Sequence, residues 1–210
     1  MKAIDELRAD PRWTQSPGEE FANSVTHGIG LIAGLIASPF LIGVALQRGN
    51  TLFVVGTAIF SVTMVLLYLG STLYHAWPQT PLKCVLQIID HSAIFLLIAG
   101  TYTPFTLGPL RGPWGWTILA LVWILAAIGV WMKLRGGVRR PRISMCLYLG
   151  MGWLILVAVH PLALAVPSTT IFWLFAGGIA YTGGVLFFID EQVRYNHFVW
   201  HLFVLSGTFC

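Results

Sequence analysis

Seven stretches of near-continuous apolar sequence dominate this chain, and they constrain its fold more than any other feature. They run over Val25–Leu46, Thr51–His75, Cys84–Leu107, Trp114–Met132, Ile143–His160, Thr169–Ile189 and from His197 onward. A helix of about 20 apolar residues spans about 30 Å of hydrocarbon. Between the runs stand turn and charge signals: Arg48-Gly49-Asn50, then Pro78 to Lys83, Gly108 to Pro113, and Lys133 to Arg142. The fifth break is apolar and is marked mainly by Pro161 and Pro167. The runs are too long, and alternate too little, for a membrane β-barrel. Composition closes the remaining escape. Charged residues make up 10% of the 210 residues and the hydrophobic set 57%. A soluble domain carries about 25% charge, so this chain cannot cover a core with polar surface. An ordinary soluble enzyme and a disordered chain are both excluded.

The expected fold is therefore all-α: a polytopic, seven-transmembrane-helix bundle. Residues 1–24 are read as a cytoplasmic N-terminal segment and residues 25–210 as the membrane domain. The first twenty residues lack the small-residue cleavage site of a signal peptide. The last run offers about 14 residues, or about 21 Å of helix, which is short for a crossing and suggests a truncated seventh helix. Orientation follows from the basic residues. Lys2, Arg8, Arg12, Lys83, Lys133, Arg135, Arg139, Arg140, Arg142 and Arg194 fall on one side, and only Arg48 and Arg111 on the other. This predicts a cytoplasmic N-terminus and an external C-terminus. The run 133–142 has the composition to bind RNA or anionic lipid, but it reads as a topology determinant. No nucleic-acid partner is expected; the expected partners are membrane lipids. Cys84, Cys146 and Cys210 form no CxxC and imply no disulfide framework.

Ionisable groups inside a bilayer are costly, so each one needs a reason. With this topology His27, His75, His91, His197 and His201 converge on one level, together with the mid-span carboxylate Asp90. His160 falls on the opposite side. His197 and His201 are i, i+4 on a helix and share a face. That spacing presents two nitrogens to one metal. Ser71 and His75 are also i, i+4. Three neutral imidazoles and a water satisfy a tetrahedral catalytic zinc. An HxxxH pair alone is more often a hydrogen-bonded interior pair; here the shared depth on three spans favours a metal or proton site. Asp90 and His91 point about 100° apart, so spacing does not choose between them.

Four blocks carry a resemblance: Glu20-x2-Asn23-x3-His27, Ser71-x3-His75, the stretch Asp90-His-Ser-Ala-Ile-Phe-Leu-Leu-Ile-Ala-Gly-Thr-Tyr-Thr-Pro-Phe105, and Asn196-His197-x3-His201. In these the chain resembles the bacterial haemolysin III branch of the progestin and adipoQ receptor family. The resemblance implies a seven-helix bundle in the bacterial cytoplasmic (inner) membrane, with zinc (Zn2+) held by His75, His197 and His201. It implies that Asp90 contacts the metal through water, with Ser71 beside it, and that Glu20, Asn23 and His27 form a supporting shell. Two functions compete. One is zinc-dependent hydrolysis of a lipid amide or ester, as in the similar membrane ceramidases, with Asp90 moving protons and Ser71 stabilising an oxyanion. The other is a non-enzymatic sensor or receptor-like regulator of membrane lipid state with structural zinc. Both belong to membrane lipid homeostasis. A proton-coupled transporter and a cytolysin rank below them.

Overall fold

The computed structural model describes residues 15–48, 50–189 and 193–210, and these are helical with short connections. In chain order the helices are α1 (Pro17–Gln47), α2 (Thr51–Ala76), α3 (Pro81–Leu107), α4 (Pro113–Gly136), α5 (Pro141–Gly152), a 3₁₀ segment (Trp153–Ala158), α6 (Val159–Ala165), α7 (Ser168–Ile189) and α8 (Asn196–Phe209). No strand occurs among the described residues. Among the described residues six units are long and apolar enough to cross a membrane: α1 to α4, the rod Pro141–Ala165, and α7. At 14 residues, α8 is shorter than a crossing requires.

Local chemistry sets the helix starts. Pro17, Pro81, Pro113 and Pro141 each occupy the first turn of a helix, where a missing N–H costs nothing and φ is already suitable. Ser16 caps α1 in a reciprocal capping box with Glu19. Asn50 caps α2, its Oδ1 accepting from Leu52 N and Phe53 N.

Two boundaries differ from the hydropathy reading. Helix α1 begins eight residues before the first apolar run, so Glu20 and Asn23 lie on the same helix as His27. The fifth span continues through Pro161 to Ala165. The 3₁₀ segment ends at Ala158 and a new helix starts at Val159, so Pro161 falls in a first turn and breaks nothing.

The helices close into a ring: α1 packs on α2 and α8, α8 on α7, α7 on α5, and α5 on α3 and α4. Helix α3 lies between α2 and α4. The α2–α3 approach is close because glycines form it. A Cβ on Gly56 would stand 2.8 Å from Pro104 Cα, and one on Gly100 would collide with Thr63 Oγ1. Small residues serve this purpose in membranes, where tight packing replaces the hydrophobic drive. The outer surface is apolar, with Phe21, Ile29, Ile32 and Phe40 exposed along α1. The interior, by contrast, holds Asn23, His27, Ser71, His75, Lys83, Asp90 and His201. A soluble protein has the opposite arrangement.

Candidate metal centre

Glu20, Asn23 and His27 are spaced i, i+3, i+7 on α1, so they share its inward face. Ser71 and His75 occupy the last turns of α2, and His197 and His201 the first turns of α8. The chain ends that position them are tied together. The Glu19 Oε1 atom accepts from Tyr195 N at 3.0 Å, at the residue that caps α8. Tyr195 sits there in the left-handed region, φ 59°. Lys83 closes the other end, its Nζ donating to Tyr74 O at 2.9 Å and Trp77 O at 3.0 Å. These are carbonyls at the end of α2, the natural place for a cation.

His75, His197 and His201 converge. Each offers a ring nitrogen, and these nitrogens all lie within 4.8 Å of one another. Ring centroids are 5.1 Å apart for His75–His197, 5.0 Å for His75–His201 and 4.6 Å for His197–His201. The hydrogen bonds decide which nitrogens are available. His75 Nδ1 donates to Glu20 Oε2 at 2.7 Å, and its Nε2 is buried without a partner. His201 Nδ1 donates to the Asn23 carbonyl at 3.3 Å, which leaves Nε2 as the acceptor. His197 Nε2 is likewise buried and unpartnered. An imidazole that gives one N–H to a carboxylate or carbonyl and keeps the other nitrogen bare is arranged as a metal ligand. The donor set therefore fits a metal ion: the three histidines can hold one, and imidazole suits zinc, copper, nickel and iron alike. Glu20 also pairs with Lys83 through Oε1 at 3.0 Å, so one carboxylate orients a histidine and neutralises a buried cation.

The other predicted residues fall around this trio. Ser71 is fully buried and its Oγ lacks a well-formed hydrogen bond. The Asp90 carboxylate is its neighbour across the α2–α3 contact. Asp90 is 5% exposed. Asn23 is fully buried and its Nδ2 donates to Gln15 Oε1. His27 stacks flat on His201, centroids 3.5 Å apart and planes 6° from parallel. Neither His27 nitrogen has a partner, and Tyr68 meets the ring edge-on at 5.1 Å. His91 turns the other way, lining a cavity with residues of α4, α5 and α7, while Tyr148 donates to its backbone carbonyl at 2.8 Å. The packing thus separates Asp90 from His91, which spacing left open. His160 is exposed on α6, away from the group.

Two residues escaped the sequence reading. Lys83 and Lys133 were counted among the loop charges, yet they are 5% and 2% exposed. A signal existed for the first: Lys83, Gln87 and Asp90 follow i, i+4, i+7 and mark one polar face of α3. Gln87 Nε2 indeed donates to Tyr74 Oη across that face, at 3.0 Å.

Comparison with known proteins places the chain in a family. The family model described as haemolysin-III related matches residues 15–210. The hemolysin-3 homolog of Bacillus subtilis is 46% identical over 190 residues, covering 90% of this chain and 89% of that protein. The hemolysin-3 of Bacillus cereus is 47% identical over 197 residues, covering 94% and 90%. The human monocyte to macrophage differentiation factor is 26% identical over 211 residues, covering 95% and 84%. No solved structure matches.

Proposed function

The chain belongs to the haemolysin-III related family of multi-pass integral membrane proteins, and on that premise we propose that it is a zinc-dependent hydrolase of lipid amides or esters acting in membrane lipid homeostasis. One observation carries the reading. Three imidazoles converge with a nitrogen of each free to ligate, and beside them stand the buried Asp90 carboxylate and the buried Ser71 hydroxyl, whose Oγ has no well-formed hydrogen bond.

The roles follow from the chemistry of each group. His75, His197 and His201 would hold the ion; Glu20 and the Asn23 carbonyl fix two of these rings in the ligating tautomer. When bound, the ion supplies a Lewis acid that polarises a carbonyl and makes water more acidic. Asp90 takes a proton from the attacking water and returns it to the leaving amine or alkoxide. The C–N or C–O bond breaks, giving a carboxylic acid and an amine or alcohol. Ser71 donates its hydroxyl hydrogen to the oxygen on which negative charge develops. On this reading a lipid substrate enters laterally from the bilayer, which the apolar outer face of the bundle would border. We place the N-terminus in the cytoplasm and count α8 as the seventh helix of the bundle.

A second reading has its own support. The ligands come from α2 and α8, and their partners from α1, so the ion would also tie together elements far apart in sequence. In that case the protein senses membrane state and the metal is structural.

Elemental analysis of detergent-purified protein, wild type against His197→Ala/His201→Ala, tests the metal. A stoichiometric metal in the wild type and its loss in the variant are expected; a metal-free wild type overturns the site. Incubation with lipid amides and esters, with and without chelator, then separates the readings. Chelator-sensitive product release supports the hydrolase. Chelator-induced unfolding of a protein that never yields product supports the structural reading.

A further inference from the structure

Lys133 is handled unlike the other buried lysine. Lys83 has three oxygen partners, two carbonyls and a carboxylate. Lys133 lies in the last turn of α4, 2% exposed. Among the described residues it has no hydrogen-bond or ion-pair partner. The Asp90 carboxylate is within electrostatic reach but not in contact. A buried ammonium is costly unless an anion meets it.

What Lys133 faces is a cavity. Its lining includes His91, Ser144, Tyr148, Phe188 and Pro141. The enclosed volume is about 10 Å³, room for one water or one oxygen atom, and the cavity is partly open. The two hydroxyls on its wall are already committed as donors, Tyr148 to His91 O and Ser144 to Arg140 O. Among the described residues the ammonium is left as the donor without an acceptor, which favours an acceptor-rich, negatively charged guest. Pro141 is half-buried and is flanked in sequence by the exposed Arg140 and Arg142. On either side of this basic connection, Leu134 is 68% and Ile143 48% exposed. Exposed apolar residues next to exposed arginines are what a helix presents where acyl chains meet headgroups.

We propose that this cavity binds the phosphate of an anionic phospholipid, one oxygen reaching Lys133 Nζ and the rest of the headgroup held at the rim by Arg140 and Arg142. The enclosed space is too small for a whole phosphate, so the headgroup stays at the mouth with its acyl chains along Leu134 and Ile143. The site needs no metal and does not depend on the hydrolase reading.

The test uses the full chain in a neutral detergent, with dioctanoyl phosphatidylglycerol, dioctanoyl phosphatidylcholine and inorganic phosphate as probes. Thermal unfolding of the wild type is expected to shift upward with phosphatidylglycerol and not with phosphatidylcholine. Lys133→Met should weaken the phosphatidylglycerol response at least ~10-fold in apparent affinity. Lys133→Arg should keep most of it, and Arg140→Gln/Arg142→Gln should lose part. If Lys133→Met fails to fold, the wild type provides a second readout. Labelling of Lys133 by a small amine-reactive reagent, read by peptide mass spectrometry, should fall with phosphatidylglycerol. An unchanged response in Lys133→Met, or unchanged labelling, overturns the site. Equal effects of the two lipids overturn charge recognition. Equal protection by inorganic phosphate overturns the membrane source and assigns the cavity to an aqueous anion.

Discussion

Glu20 does two jobs with its two carboxylate oxygens. One fixes the His75 ring and the other neutralises Lys83. Glu20→Gln removes the charge from both contacts while keeping the shape. Orienting groups behind a metal ligand are worth about 10- to 100-fold in affinity. Competition against a graded chelator should therefore show a loss of that size; unchanged affinity would mean that His75 is oriented without Glu20. The same change leaves the Lys83 ammonium with two carbonyls and no counter-charge, a loss below the about 3–5 kcal/mol of a fully broken buried pair. Part of that loss should return in Glu20→Gln/Lys83→Met, where the ammonium is also gone. Thermal unfolding of the single and double variants reads the recovery, and strict additivity would contradict the coupling. Asp90 makes a different prediction because it is placed beside the trio rather than in it. Asp90→Asn should retain metal and lower lipid hydrolysis by about 10²- to 10⁴-fold, the usual worth of a positioned proton acceptor. Full turnover in that variant would remove Asp90 from the mechanism.

The α2–α3 contact is what brings Ser71 and Asp90 together, and its closeness can be tested. Gly56 faces backbone, which cannot swing aside: an added methyl would stand 2.8 Å from Pro104 Cα and 2.9 Å from Thr103 O. Gly56→Ala should cost about 1–3 kcal/mol of stability. Gly43→Ala on α1 meets nothing within 4 Å and should be neutral or slightly stabilising, since alanine favours a helix interior. Paired melting curves of the two variants decide this, and equal Tm values would show that the helices are not held that tightly. The same scale explains what the sequence could reveal. Apolar runs near 20 residues made the long helices visible, because a membrane demands that length. Helix ends were harder. The first two turns of α1 are polar, so hydropathy missed them, although Ser16-Pro17-Gly18-Glu19 spells a helix start. Pro161 looked like a break because nothing in the sequence announces the 3₁₀ segment before it. Lys83 and Lys133 were misread for one reason: hydropathy ends a span at its first charge, whereas direction is set by packing. The meeting of His75 with the His197/His201 pair was legible from spacing. The separation of Asp90 from His91 was not, because it depends on which neighbours α3 meets.

At the scale of the whole molecule the ring of helices closes at α8. Helix α8 has 14 residues, about 21 Å of rod, and it packs on α7 and α1. Two of its side chains, His197 and His201, join the trio with His75 of α2. Glu19 and Asn23 of α1 hold Tyr195 and His201 by hydrogen bonds. A metal at the trio would therefore link α2 to α8, two elements far apart in sequence. Ligand present at about 100 times its Kd stabilises the form that binds it by about 2.7 kcal/mol. Removal should lower Tm, and re-addition should restore it. The loss should also be uneven, because α2, α3 and α4 keep their glycine-mediated packing with or without an ion. Hydrogen–deuterium exchange after chelation should therefore rise first in α8 and in the first turns of α1, where backbone amides depend on the closure. Amides in the middle of α3 should stay protected. His75→Ala, which lacks one ligand, should show faster α8 exchange from the start and little further response to chelator. Uniform deprotection of all helices would instead mean that the ion stabilises the fold as a single unit. No change in α8 would mean that the histidine cluster does not hold the ring closed.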